Sequence, residues 1–87
     1  MTIQIDPHTI ERAEERGTTP EEIEDVIRTG FPVAAKHGRE GRAKIYDFGK
    51  RRLGKTYKQK RVEVFYAVER SVTITVSVYV FYGEWEA

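Results

Sequence analysis

Residues 61–82 read RVEVFYAVERSVTITVSVYVFY. Two runs of alternating side chains flank the short break at Glu69-Arg70-Ser71. In the first, about 61–69, Val62, Val64, Tyr66 and Val68 fall on one face. In the second, about 72–82, Val72, Ile74, Val76, Val78 and Val80 fall on one face and Thr73, Thr75, Ser77, Tyr79 and Phe81 on the other. A period of two sustained this long is the pattern of half-buried strands, and the tight break joins them as an antiparallel pair. Such a sheet has one apolar face that a second layer must cover.

The cover lies upstream. Asp6-Pro7 reads as an N-cap and first helical residue, opening a helix over about 7–16 that stops at Gly17. Thr19, Pro20 and Glu22 form a capping box for a second helix over about 20–29, with Ile23, Val26 and Ile27 as its apolar stripe and Gly30 at its end. VAAKH (33–37) and AKIYDF (43–48) predict two more strands around a GREGR turn. The expected architecture is α+β: two N-terminal helices packed on one face of a twisted antiparallel sheet of about four strands. At 87 residues the chain reads as a single domain with one modest core.

Charge is unevenly spread. Residues 1–30 carry eight acids and three bases, residues 31–61 two acids and eleven bases, and residues 62–87 four acids and one base. The formal net charge of +1 hides a strongly basic middle. Its densest part, GKRRLGKTYKQKR (49–61), has seven Lys or Arg in thirteen residues and no acid. Such a run is either a solvated loop or hairpin or an anion site. The absence of acids, the aromatic Tyr57 within it and the polar face bearing Thr73, Thr75, Ser77 and Tyr79 favour an anion site. Basic residues interleaved with aromatics on a sheet suit RNA or another polyanion. Arg51, Arg52, Lys58, Lys60, Arg61, Thr75 and Tyr79 are the candidate nucleic-acid contacts.

His8 sits at the start of the first helix, with Arg12 and Arg16 at four-residue steps on the same face. The plain reading is a surface histidine beside two arginines that pair with neighbouring acids. The chemical reading is a proton acceptor beside phosphate-binding guanidiniums. The chain has no cysteine, and two histidines without spaced carboxylates do not make a metal site, so neither metal nor cofactor is expected. GKRRLGKT (49–56) has the G-x-x-x-x-G-K-[ST] spacing, with Gly49 five residues before Gly54, but no strand-loop-helix context follows it, which argues against a phosphate-binding loop. MTIQIDP lacks a basic stretch followed by an apolar run, and the apolar-rich run 72–82 is too short for a spanning helix, so no membrane partner and a cytoplasmic location are expected.

His8, Arg12, Arg16 and Gly17 form H-x-x-x-R-x-x-x-R-G, followed by P-E-E-I-E (20–24), Gly30 and Pro32, T-Y-K (56–58), R-V-E-V (61–64) and TVSVYVFYGEWE (75–86). In this order the motifs resemble the domain-of-unknown-function 4258 family of small bacterial proteins, which is similar to RelE/ParE-type toxins and the barnase–colicin–RelE ribonuclease fold. The resemblance implies a metal-independent endoribonuclease paired with an antitoxin that covers the basic face. Cleavage by internal attack needs a base, cations and an acid. His8 could serve as base, Arg12, Lys55, Lys60 and Arg61 on the phosphate, and Tyr57 or Tyr79 as acid or as a ring that stacks the base; His8, Arg12, Lys55 and Tyr57 are the catalytic candidates. Two other readings remain open: a non-catalytic RNA- or protein-binding module on the same fold, and a homodimer formed through the last strand.

Overall fold

A computed structural model describes residues 1–85. The elements run β1 (Thr2–Gln4), α1 (Pro7–Arg16), α2 (Pro20–Thr29), β2 (Phe31–Val33), β3 (Glu40–Arg52), β4 (Lys55–Glu69) and β5 (Val72–Gly83). They build one α+β unit with two helices and a sheet of five strands in the order β1-β5-β4-β3-β2. β1 runs parallel to β5 and every other pairing is antiparallel, so the sheet is mixed rather than the antiparallel four-strand sheet expected. The extra strand is short. It occupies Thr2–Gln4, an alternating stretch too brief to stand out by period.

Both helices form where their caps announce them. Asp6 accepts a bond from the His8 amide at 2.7 Å, Pro7 takes the first turn, and Gly17 ends α1 in the left-handed region at φ 94°. Thr19 accepts from the Glu22 amide at 3.2 Å. The second half of the expected capping box is replaced by other partners: the Glu22 carboxylate binds the Thr18 hydroxyl at 2.8 Å and the Lys60 ammonium at 2.7 Å. Ala13 of α1 and Ile23, Val26 and Ile27 of α2 bury against Val62, Val64 and Tyr66 of β4 and Val78 of β5. Among the described residues no helix covers the opposite face of the sheet.

β5 departs from strict alternation. Phe65 pairs with Ser77 but Tyr66 pairs with Thr75, so Val76 is the extra residue of a β-bulge. The bulge inverts which side chains face the helices. Thr73 and Thr75, expected on the open face, are buried beneath the helical layer, with Thr75 only 2% exposed. Beyond the bulge Val78 faces inward while Tyr79 and Phe81 remain exposed.

The basic stretch is also strand, extending β3 to Arg52 and β4 back to Lys55. Leu53 and Gly54 close it as a two-residue turn with φ of 53° and 81°, the doubly positive pair that a type I′ hairpin requires. Arg70 and Ser71 close β4 to β5 in the same way, at 49° and 68°. β2 covers Phe31–Val33 rather than 33–37, and its Pro32 sits on an edge strand, where a missing amide donor is tolerated.

Candidate nucleic-acid interface

The C-terminus of α1 is the hub from which the functional side chains are placed. Its last carbonyls lack partners within the helix. Arg52 donates to the Glu15 carbonyl at 2.8 Å, Tyr82 to that of Arg16 at 2.6 Å and Lys60 to that of Gly17 at 2.9 Å. Two of these donors are cations at the negative end of the helix dipole, where positive charge is favoured. Burial pushes the Tyr82 hydroxyl pKa up, partly opposed by the nearby Arg52 guanidinium. Phe48 and Tyr57 stack on the Tyr82 ring with centroids 5.1 and 5.5 Å away, and Arg52 lies 4.8 Å from its centre. The β3–β4 hairpin is thereby anchored along one face.

This anchoring divides the seven cations of residues 49–61. Lys60 is 8% exposed and bound to Glu22 and Gly17, so it is a core cation and not a free RNA contact. Arg52 is held by α1. Arg61 gives its Nε to Glu63 at 2.9 Å and lies 5.2 Å from the Phe31 ring centre. Lys50, Arg51, Lys55 and Lys58 remain exposed on the hairpin; Arg51 donates to the Gly54 carbonyl and Lys58 makes a surface pair with Glu84 at 3.1 Å. At the hairpin's root the Trp85 amide donates to Gln59 Oε1 at 2.6 Å, and the Trp85 side chain lines a cleft with Asp47 and Lys58.

Lys44 and Tyr46 are likewise turned to the helices. Both donate to Asp25, at 2.7 and 2.6 Å. Hydrogen bonds from Lys44 and Tyr46 hold the Asp25 carboxyl down at about 2. Burial, then the Asp25 bond, pushes the Tyr46 phenol far up.

His8 and Arg12 belong to a different place. With Thr9 and Arg16 they line one wall of a cleft of about 130 Å³, whose other wall is Val76, Ser77, Val78 and Tyr79 of β5. β1 pairs with β5 only over Val72–Ile74, and beyond that point Arg16 reaches across to donate to the Val78 carbonyl. Its guanidinium also lies 5.1 Å from the Tyr79 ring centre. Arg12 pairs with Glu15 at 3.0 Å, an exposed contact that a ligand can displace. Asp6 fixes the start of this wall: its backbone amide donates to Thr75 Oγ1 and its carboxylate accepts from Thr9.

The proposed catalytic set is therefore split. His8 and Arg12 face Tyr79, whereas Lys55 and Tyr57 line a separate cleft with Lys58 and Tyr82. Glu63 is the register partner of Tyr79. Lys55 lies eight residues from it along β4, about 26 Å of strand. Thr75 is removed from the site by the bulge. Arg16, visible in the four-residue spacing but not among the expected contacts, belongs to this cleft. Ser77 and Tyr79 also border a groove on the open sheet face with Lys36, His37, Arg39 and Phe65, which only the fold brings together.

Among the described residues no three His, Cys, Asp or Glu side chains gather where they could share a metal ion. No helix of the described residues is long and apolar enough to cross a membrane. No protein family, curated protein or solved structure matches the chain at the level of similarity sought.

Proposed function

We propose that the protein is a metal-independent endoribonuclease of the RelE-like toxin kind, acting in the cytoplasm and held in check by an antitoxin, with the cleft between α1 and β5 as its active site. The observation that carries this reading is the convergence of His8, Arg12, Arg16 and Tyr79 on that one cleft. The four side chains supply every part that internal attack requires. His8 takes the proton of the 2′-hydroxyl as its oxygen bonds to phosphorus. Arg12 and Arg16 hold the charge on the phosphorane oxygens, guanidiniums being suited to bidentate phosphate contact. Tyr79 gives its proton to the 5′-oxygen as that bond breaks, leaving a 2′,3′-cyclic phosphate and a 5′-hydroxyl. Arg16 thus takes the role expected of Lys55, and of the two tyrosines expected as acid this reading uses Tyr79 rather than Tyr57.

The test is incubation of the purified protein with total RNA in EDTA. Discrete cleavage is expected, falling roughly 10²-fold or more in His8→Ala and in Tyr79→Phe. A non-catalytic RNA-binding module is the second reading, favoured by the distance of Lys55 and Tyr57 from His8. Intact RNA with a retained gel shift would establish it and end the nuclease reading.

A further inference from the structure

The register of the sheet sets the exposed cations apart from the cleft. β5 ends at Gly83, whose partner on β4 is Gln59. β3 and β4 continue past that point as a two-stranded ribbon, pairing Lys50 with Tyr57, Arg51 with Thr56 and Arg52 with Lys55. Between Phe48 and Lys58 the ribbon carries five cations and no acid. A bulge between Asp47 and Lys50 marks its root, with Gly49 at φ 59°. Its tip residue, Leu53, is 95% exposed. A free two-stranded hairpin is marginal in water. This one is braced from one side by Phe48, Arg52 and Tyr57 on Tyr82 and by Arg52 on α1. Lys50, Arg51, Lys55 and Lys58 are left exposed on a support that is already in place.

From this we infer that the ribbon is a second, sequence-independent binding element that grips the phosphate backbone of an RNA strand whose scissile link lies in the α1–β5 cleft. The inference rests on the reading of the cleft as an RNA site. The exposed ribbon side chains are cations with Thr56 and Leu53, groups that meet phosphate or pack, whereas base-edge readout relies on Asn, Gln, Asp and Glu as well as Arg. The separation of about 26 Å along β4 corresponds to about eight nucleotides at the roughly 3.4 Å spacing of a stacked strand. The substrate class is accordingly an RNA with a single-stranded stretch long enough to reach both elements. An RNA that fits only the cleft forgoes the ribbon's cations.

The experiment measures binding of a single-stranded RNA of about sixteen nucleotides against salt, with cleavage in EDTA read from the same samples. The variant Lys50→Gln/Arg51→Gln/Lys55→Gln removes three exposed charges. Because Arg51 also bonds the turn carbonyl, Lys50→Gln/Lys55→Gln serves as a second variant, and unfolding midpoints verify that both fold. With about 0.7 of log–log slope per neutralised single-strand phosphate, the triple variant should bind with a slope shallower by about 2 and the double by about 1.4. An RNA of about four nucleotides should show no such difference between wild type and variants. Arg28→Gln/Arg70→Gln, which removes two charges elsewhere, should keep the wild-type slope. An unchanged slope in the ribbon variants, or an equal fall in the control, overturns the inference even if cleavage proceeds. RNA bound with the expected slopes but left intact preserves the ribbon and sinks the nuclease. Neither binding nor cleavage by the wild type overturns both.

Discussion

Lys60 shows how a residue that looks like a ligand contact becomes a structural one. Its side chain is 11% exposed and that of its partner Glu22 25%, with 2.7 Å between charged atoms. A third group, the Gly17 carbonyl, completes the site. Truncating one partner of such a pair leaves the other charge poorly solvated, which costs far more than the pair's net contribution. Lys60→Ala is expected to lower stability by about 3 kcal/mol, and Lys60→Met/Glu22→Leu by clearly less. Denaturant unfolding of both measures it; an effect of Lys60→Ala within about 0.5 kcal/mol, as for an ordinary surface change, would contradict this placement. Gly17 is constrained by the same cluster. Its φ of 94° suits glycine, and a Cβ there would collide with the Tyr82 hydroxyl that binds the Arg16 carbonyl.

At the scale of the element, β5 carries the main lesson about bulges. Thr75 accepts from the Asp6 amide at 3.2 Å and ties the first turn of α1 to the sheet. Thr75→Val keeps the shape and leaves that amide without its acceptor, for a loss of about 1–2 kcal/mol. Exchange of the Asp6 amide should accelerate with it, and protection unaltered from wild type would deny the contact its role. The helices were legible in the sequence because caps act locally: Asp6-Pro7, Thr19-Pro20 and Gly17 each satisfy or end a helix through groups a few residues away. The long strands were legible because alternation repeats. The faces of β5 were not, because a single inserted residue at Val76 inverts them and nothing in VTITVSVYVFY marks which residue is extra. β1 escaped notice since three residues hold too little period. The stretch 49–61 was readable as a loop or hairpin, but the turn at Leu53-Gly54 came from the fold, and which of its cations would be consumed depended on where α1 ends in space. The cleft was half visible: the spacing of His8, Arg12 and Arg16 gave one wall, and only the fold supplied Tyr79 opposite it.

Across the whole molecule, the acidic start and the basic middle answer one another. Asp25 with Lys44 and Glu22 with Lys60 join α2 to β3 and β4, so part of the segregated charge is spent inside the fold. This makes stability depend on acid in a definite direction. Asp25 titrates at about 2 in the folded protein against an ordinary 3.8. Its contribution is present above about pH 4 and is lost as pH falls from there toward 2. The melting temperature should therefore drop through that interval, and Asp25→Asn should flatten the drop while lowering stability at pH 7. Equal pH dependence in the two proteins would show that Asp25 does not carry it. The chain has a single tryptophan, and Trp85 stands at the root of the ribbon with its amide on Gln59. Its emission therefore arises beside the arm and far from the tip, so it offers an intrinsic optical signal of whether the hairpin stays seated when a polyanion arrives, with no label attached.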